Sequence, residues 1–241
     1  MKKKRGIISI VLISIIAVIF IIPLVYMVST SLKPKSEVLQ DTISLIGSRV
    51  TTENYERAWN AFPFARYMFN SIFVGLATTA LTVFTSAMAA YAFARLKFKG
   101  RDKVFFVYLS TLMVPIQVTI IPLYMILRIL GWHDSYAALI VPPVFSAFGV
   151  FMLRSKPGLA SLAIFTFVNS WKSFFWPLIV TSSDKYKTLP IGLYAFSGQY
   201  GTDWSALMAA TAISIIPGVI FYIIFQKSLV EGISLTGMGG R

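Results

Sequence analysis

Phe165, Asn169, Lys172 and Trp176 follow one another at intervals of four, three and four residues. On an α-helix that spacing lines side chains along one face. Two aromatic rings, an amide and an ammonium in one row have the chemistry of a polar solute path. The row also has a plainer reading. Lys172 lies three residues past the middle of its apolar run, about 4.5 Å at ~1.5 Å of rise per residue. From there its ammonium can snorkel to the membrane boundary or stack on Trp176. A lysine facing lipid at mid-span costs roughly 2.5–3.5 kcal/mol, and both readings keep it away from the acyl chains.

Few other residues offer chemistry. His133 is the single histidine and cysteine is absent, so thiolate metal sites do not arise and histidine-based metal or acid–base centres are not expected. No Gly-rich phosphate-cradling loop occurs, so the chain is not expected to hydrolyse nucleotide or to carry a cofactor. All nine acidic residues lie outside the apolar runs. A secondary carrier or channel using Lys172 for ion coupling would be expected to show paired intramembrane acids and internal repeats. An intramembrane enzyme would need an acid–His or metal-ligand cluster, and neither is present.

The elements that must hold these residues are legible from composition. The chain is 56% hydrophobic and 13% charged, whereas a soluble domain carries about a quarter charged residues. Too little polar surface remains for a water-exposed particle, so the bilayer is the natural solvent. The net charge of +13 sits in short clusters between apolar runs. That is the pattern of anchoring at an anionic membrane face rather than of nucleic-acid binding.

A spanning helix needs about 20 mostly apolar residues. Six runs meet that requirement: Ile7–Ser29, Ser71–Phe93, Val104–Tyr124, Tyr136–Leu153, Leu159–Val180 and Ala206–Phe225. The first follows a basic Lys2–Arg5 segment but is too long for a signal peptide and lacks a cleavage site, which makes it an anchor helix. With both termini inside, thirteen Lys and Arg residues fall on the inner segments and eight on the outer ones. The positive-inside rule therefore selects an N-in, C-in, all-α membrane protein. The predicted organisation is an anchor helix over 1–30, an external connector over 31–70, a transmembrane core over 71–226 and a cytoplasmic tail over 227–241.

Pro115, Pro142, Pro143, Pro177 and Pro217 fall inside predicted spans. Each removes a backbone donor, and neighbouring helices or a wet cavity must satisfy the freed carbonyls. A stripe of small residues, Ala77, Ala80, Ala87, Ala90 and Ala94, points to close helix packing in the second span.

Several stretches carry a specific resemblance. Asn169-Ser170-Trp171 with Phe174-Phe175-Trp176-Pro177-Leu178 is similar to the fifth-helix signature of MalG-type carbohydrate permeases, subunits of binding-protein-dependent ABC importers. Arg66-Tyr67-Met68-Phe69-Asn70-Ser71, Ala90-Tyr91-Ala92-Phe93-Ala94-Arg95, Lys187-Thr188-Leu189-Pro190-Ile191-Gly192-Leu193 and Glu231-Gly232 match in the same order. The resemblance implies a type I importer permease fold. Its implied partners are a second permease subunit in a heterodimer, two ATPase subunits, an external solute-binding protein, the lipid bilayer and a sugar substrate. The family usually has Asn at the position of Lys172. By the same likeness, Glu231, Gly232 and Gly237 would enter the ATPase interface.

One family feature is absent. These permeases carry a cytoplasmic coupling segment between helices 4 and 5, a short helix with a Glu-Ala-Ala…Gly signature that docks on the ATPase. Here Leu153-Arg154 is followed at once by Ser155-Lys156-Pro157-Gly158. Five residues reach at most roughly 17 Å, and bridging two packed helices takes about 8–10 Å of that. In this loop Arg154, Ser155 and Lys156 remain as candidate ATPase contacts, and the expectation is a permease with impaired coupling. The alternative is a degenerate paralogue that assembles without transporting.

Overall fold

The structure is a computed structural model that describes residues 2–38, 44, 47–154, 158–198 and 201–237. In chain order its elements are α1 (Lys2–Ser31), α2 (Lys35–Val38), α3 (Glu53–Asn60), α4 (Phe64–Arg95), α5 (Arg101–Ser110), a 3-10 turn (Thr111–Met113) and α6 (Ile116–Ile129). There follow α7 (Tyr136–Val144), α8 (Ala147–Arg154), α9 (Leu159–Trp171), α10 (Phe175–Val180), α11 (Leu189–Tyr194), a two-residue antiparallel hairpin β1–β2 (Ser197–Gly198, Gly201–Thr202) and α12 (Trp204–Gly237). Among the described residues, three helices are long and apolar enough to cross a membrane: α1, α4 and α12. Counting each bent pair, α5–α6 and α7–α8, as one span raises this to five, and α9 is a shorter apolar helix.

The chain forms two compact units, Met1–Phe64 with Leu193–Ile215, and Ala65–Gly192 with Ile216–Arg241. In the first, Asn54 donates from its amide to the carbonyls of Ser31 and Lys33, both at 2.7 Å. Arg57 pairs with Asp203 at 2.8 Å, and Lys35 reaches the same carboxylate at 3.0 Å. Burial alone would raise the Asp203 pKa. The bonds from Lys35, the Ala206 amide and the Ser205 hydroxyl, with the Arg57 charge, outweigh it and hold the carboxyl below its ordinary value.

In the second unit Pro115 decides where a helix stops. Pro115 cannot donate to the carbonyl of Thr111, and the residue before a proline is driven from helical to extended backbone. Val114 accordingly lies at φ −87°, ψ 114°, and α5 and α6 meet at 100°. The predicted run Val104–Tyr124 is therefore two helices rather than one straight span. At the next break, α7 and α8 meet at 42° around Phe145. α9 ends at Trp171 with Lys172 as its cap, and the chain turns before α10 begins at Phe175. Pro217, in contrast, lies within a helix that continues to Gly237.

The small face of α4 is not the alanine stripe. Of its five alanines only Ala90 is buried; the close approaches fall at Gly75, where an added Cβ would sit 3.0 Å from the Phe167 ring, and at Ser86, which packs on Gly149. Phe167 in turn stacks on Phe221 with centroids 3.8 Å apart. One core cluster of this unit gathers Val74, Leu127, Leu139, Val144 and Val180, with Trp176 packed against it.

Candidate functional site

The three breaks share one cleft of about 780 Å³ within the second unit. Thr111 and Val114 enter it from the first break, Phe145 and Ser146 from the second, and Ser170 and Ser173 from the third. Non-helical backbone at membrane depth is tolerated where it lines a cavity or is buried in protein. α4 completes the wall with Thr78 and Thr82, which sit one above the other at i, i+4.

One carbonyl freed by a proline finds its partner beside this cleft. Pro142 cannot donate to Ala138, and that carbonyl accepts instead from the indole Nε1 of Trp176 at 3.0 Å. At the end of α7, the carbonyl of Val144 accepts from Thr85 Oγ1 at 3.1 Å. Trp176 therefore does backbone work as well as lining the wall.

Three hydroxyls in the wall remain without partners. Thr78, Thr82 and Thr188 are 2%, 1% and 4% exposed, and none makes a hydrogen bond among the described residues. A buried hydroxyl with no partner is costly, so such groups mark places where a ligand or water belongs. Among the described residues, no Lys, Arg, His, Asp or Glu lines the cleft.

The predicted row is corrected in one respect. Phe165 and Asn169 lie on α9, Lys172 caps it, and Trp176 lies on α10, so the four do not share a single helix face. Phe165, Asn169 and Trp176 nonetheless meet in the cleft, because the turn at 172–174 redirects the chain. Lys172 is exposed and lies outside the lining. Thr78, Thr82, Ser146 and Thr188 were not singled out in the sequence. For the first two, the i, i+4 spacing of threonines in an apolar helix was the available signal.

One end of the cleft is closed by contacts between two of the motifs noted in the sequence. Asn70 donates to the carbonyls of Lys185 and Lys187 at 3.0 and 2.8 Å and accepts from the Tyr136 hydroxyl at 2.7 Å. Ser71 Oγ accepts from the Leu189 amide at 2.8 Å, and Tyr67 donates to Asp184 at 2.6 Å. Ser71 and Thr188 both line the cleft beneath.

Among the proposed ATPase contacts, Arg154 ends α8. Its guanidinium lies 3.2 Å from Asp102 and 4.0 Å from the centre of the Phe105 ring. Ser155 and Lys156 lie outside the described residues. The α12 backbone is helical through Glu231, Gly232 and Gly237.

The second unit is a set of broken apolar helices around one cleft whose wall includes Ser and Thr residues, the architecture of a membrane-embedded protein with an internal cleft. Comparison with known proteins narrows the class. The chain is 31% identical over 260 residues to the arabinooligosaccharides transport system permease protein AraQ of Bacillus subtilis, covering 93% of this chain and 92% of that protein. It is 30% identical over 261 residues to the sulfoquinovosyl glycerol transport system permease protein SmoH of Agrobacterium fabrum (94% and 92% covered). It is 29% identical over 265 residues to the trehalose/maltose transport system permease protein MalG of Thermococcus litoralis (94% of each). A crystal structure of a bacterial ABC transporter involved in the import of the acidic polysaccharide alginate contains a chain of the same fold, with a TM-score of 0.79 at 20% identity over 93% of this chain and 96% of that one. No protein-family model matches. The chain belongs to the permease subunits of binding-protein-dependent ABC importers for sugars.

Each of these sequence matches is longer than the 241-residue chain itself. Against AraQ, 93% of 241 is about 224 residues within a match of 260, so about 36 positions of the relative have no counterpart here. The same reckoning leaves about 34 against SmoH and about 38 against MalG.

Proposed function

We propose that this chain forms half of the translocation path of a carbohydrate ABC importer, as six spans with both termini in the cytoplasm. The anchor helix over 1–30 precedes an external connector, a core over 71–226 and a cytoplasmic tail from 227. The observation that carries this reading is the convergence of three chain breaks, between α5 and α6, α7 and α8, and α9 and α10, on one cleft with no ionisable side chain among its described lining residues. Phe165, Asn169 and Trp176 are its path residues. A second permease subunit supplies the other half, two ATPase subunits below hydrolyse ATP, and an external solute-binding protein delivers the sugar.

Coupling to the ATPases is impaired on this reading. The constant shortfall of about 36 residues against relatives supports one missing block, and the abrupt passage from Arg154 to Gly158 is where the coupling segment belongs. Arg154 is also engaged within its own chain by Asp102 and Phe105. Glu231, Gly232 and Gly237 remain as the tail's contacts with the ATPase.

The test inserts the coupling segment of a relative such as AraQ between Arg154 and Ser155 and measures ATPase activity of the assembled complex with and without solute. Stimulation by solute should appear only with the insertion; equal stimulation without it would sink the impaired-coupling reading. Co-purification of the unaltered chain with ATPase subunits, but no uptake after insertion, would favour a non-transporting paralogue.

A further inference from the structure

The loop between α4 and α5 concentrates positive charge. Residues 95–103 hold five cations, Arg95, Lys97, Lys99, Arg101 and Lys103, and a single acid, Asp102. The Asp102 carboxylate lies 3.2 Å from Arg101 and 3.2 Å from Arg154, so it is shared between those two guanidinium groups. Arg95, Lys97, Lys99 and Lys103 are exposed, and none of them has an acidic partner among the described residues. From this placement we infer that the 95–103 loop holds the phosphate headgroup of an anionic phospholipid at the membrane surface. The inference rests on the assignment of the flanking spans and not on the solute path.

The length of α4 puts the loop at the right depth. Its 32 residues extend about 48 Å at ~1.5 Å of rise per residue, whereas the hydrocarbon core is about 30 Å thick. The end of α4 therefore reaches the headgroup layer, where the loop begins. Side chains of two kinds alternate there. Leu96 and Phe98, 50% and 45% exposed, stand between Arg95, Lys97 and Lys99. Such a mixture suits the boundary of a bilayer: the apolar groups meet acyl chains while the cationic tips stay level with phosphate.

The backbone gathers the cations. Gly100 adopts φ +82° and ψ 6°, and the Arg101 N–H donates to the Phe98 carbonyl at 3.3 Å. That is a tight turn whose third residue needs the left-handed conformation open to glycine, and it sets Lys99 at the corner. The turn folds the chain around an open hollow of about 680 Å³, to which Lys97, Lys99, Arg101 and Lys103 all contribute. Like charges held this close repel one another, and a bound phosphate relieves that repulsion. A phospholipid supplies the phosphate on an acyl anchor already confined to the same surface, so association needs no capture from solution.

The test uses the full chain in detergent, mixed with equal amounts of phosphatidylglycerol and phosphatidylcholine of identical acyl chains, and counts retained lipids by native mass spectrometry. Phosphatidylglycerol should be retained at least about fivefold more than phosphatidylcholine. A triple variant, Lys97→Gln with Lys99→Gln and Lys103→Gln, should lose most of that preference while keeping its Tm. A control, Arg128→Gln with Lys172→Gln and Lys185→Gln, removes the same charge from exposed positions elsewhere and should keep the preference within about twofold. Equal retention of the two lipids by the unaltered chain overturns the inference without needing any variant. An equal loss in the control assigns the preference to net charge and also overturns it. Displacement of phosphatidylglycerol by millimolar glycerol phosphate would show a site for soluble phosphate instead of lipid. Loss of co-purifying ATPase subunits from the triple variant, with lipid retention unchanged, would make the loop a protein dock and overturn the lipid assignment.

Discussion

Trp176 donates its indole N–H to the carbonyl of Ala138 at 3.0 Å, and Ala138 is the residue four positions before Pro142. A proline in one helix has thus left an acceptor that a tryptophan from another helix fills. The two residues are 38 positions apart in sequence. Their contact ties the break in α7–α8 to the start of α10, and so holds two sides of the cleft together.

Replacing Trp176 with Phe keeps most of the apolar body and removes the donor. The carbonyl of Ala138 is then left without its substitute partner. Trp176→Phe should lower stability by about 1–2 kcal/mol, within the range for single side-chain hydrogen bonds in membrane proteins. Thermal unfolding in detergent reads the loss directly. An unchanged Tm would mean that water replaces the indole.

Asn70 is wholly buried and makes three hydrogen bonds, two donated and one accepted. Asn70→Ala abandons the carbonyls of Lys185 and Lys187 and the Tyr136 hydroxyl together. The expected destabilisation is about 2–4 kcal/mol, accompanied by faster proteolysis within 181–189. A cost below about 0.5 kcal/mol would show that this end of the cleft is held by other contacts.

Thr82 and Lys172 should separate stability from solute binding. Thr82→Val removes an unpartnered buried hydroxyl while keeping the shape, so stability should hold or rise slightly. Sugar affinity should fall about threefold or more if the hydroxyl meets solute. Lys172→Asn lies outside the lining and should leave affinity unchanged within about twofold. Titration of a neutral oligosaccharide against both variants checks the pair. A larger loss in Lys172→Asn than in Thr82→Val would reverse the assignment of the wall.

Asp203 predicts a dependence on acid. Its folded-state pKa is held below the ordinary value of 3.8, so the ionised form is favoured by folding. The stabilisation is present above the unfolded value and is lost as pH falls through the folded one. Between pH 5 and pH 3, protease cleavage around Arg57 and Asp203 should increase. Asp203→Asn should flatten that dependence, and an unaltered profile in the variant would assign it to another group.

Much of this architecture was readable from the residues in order. Long apolar runs require helices because lipid offers no partner to a bare backbone, and α1, α4 and α12 follow from that alone. The prolines marked where donors would be missing, and the ordered motifs pointed to the importer permeases. Relatives at about 30% identity agree. These signals are local: hydropathy, donor loss and motif order can each be read within a single stretch of chain.

What became of the freed groups was settled only by folding. The spacing of Phe165, Asn169, Lys172 and Trp176 suggested one helix face, but α9 ends at Trp171, and the turn that follows brings Trp176 on α10 back to the cleft beside Phe165 and Asn169 and leaves Lys172 out of it. Likewise Asn70 and Lys187 belong to separate motifs whose partnership exists only because α4 packs beside the 184–189 segment. A missing donor is a property of one residue, whereas the group that replaces it comes from whichever helix packs alongside. That choice belongs to the tertiary structure.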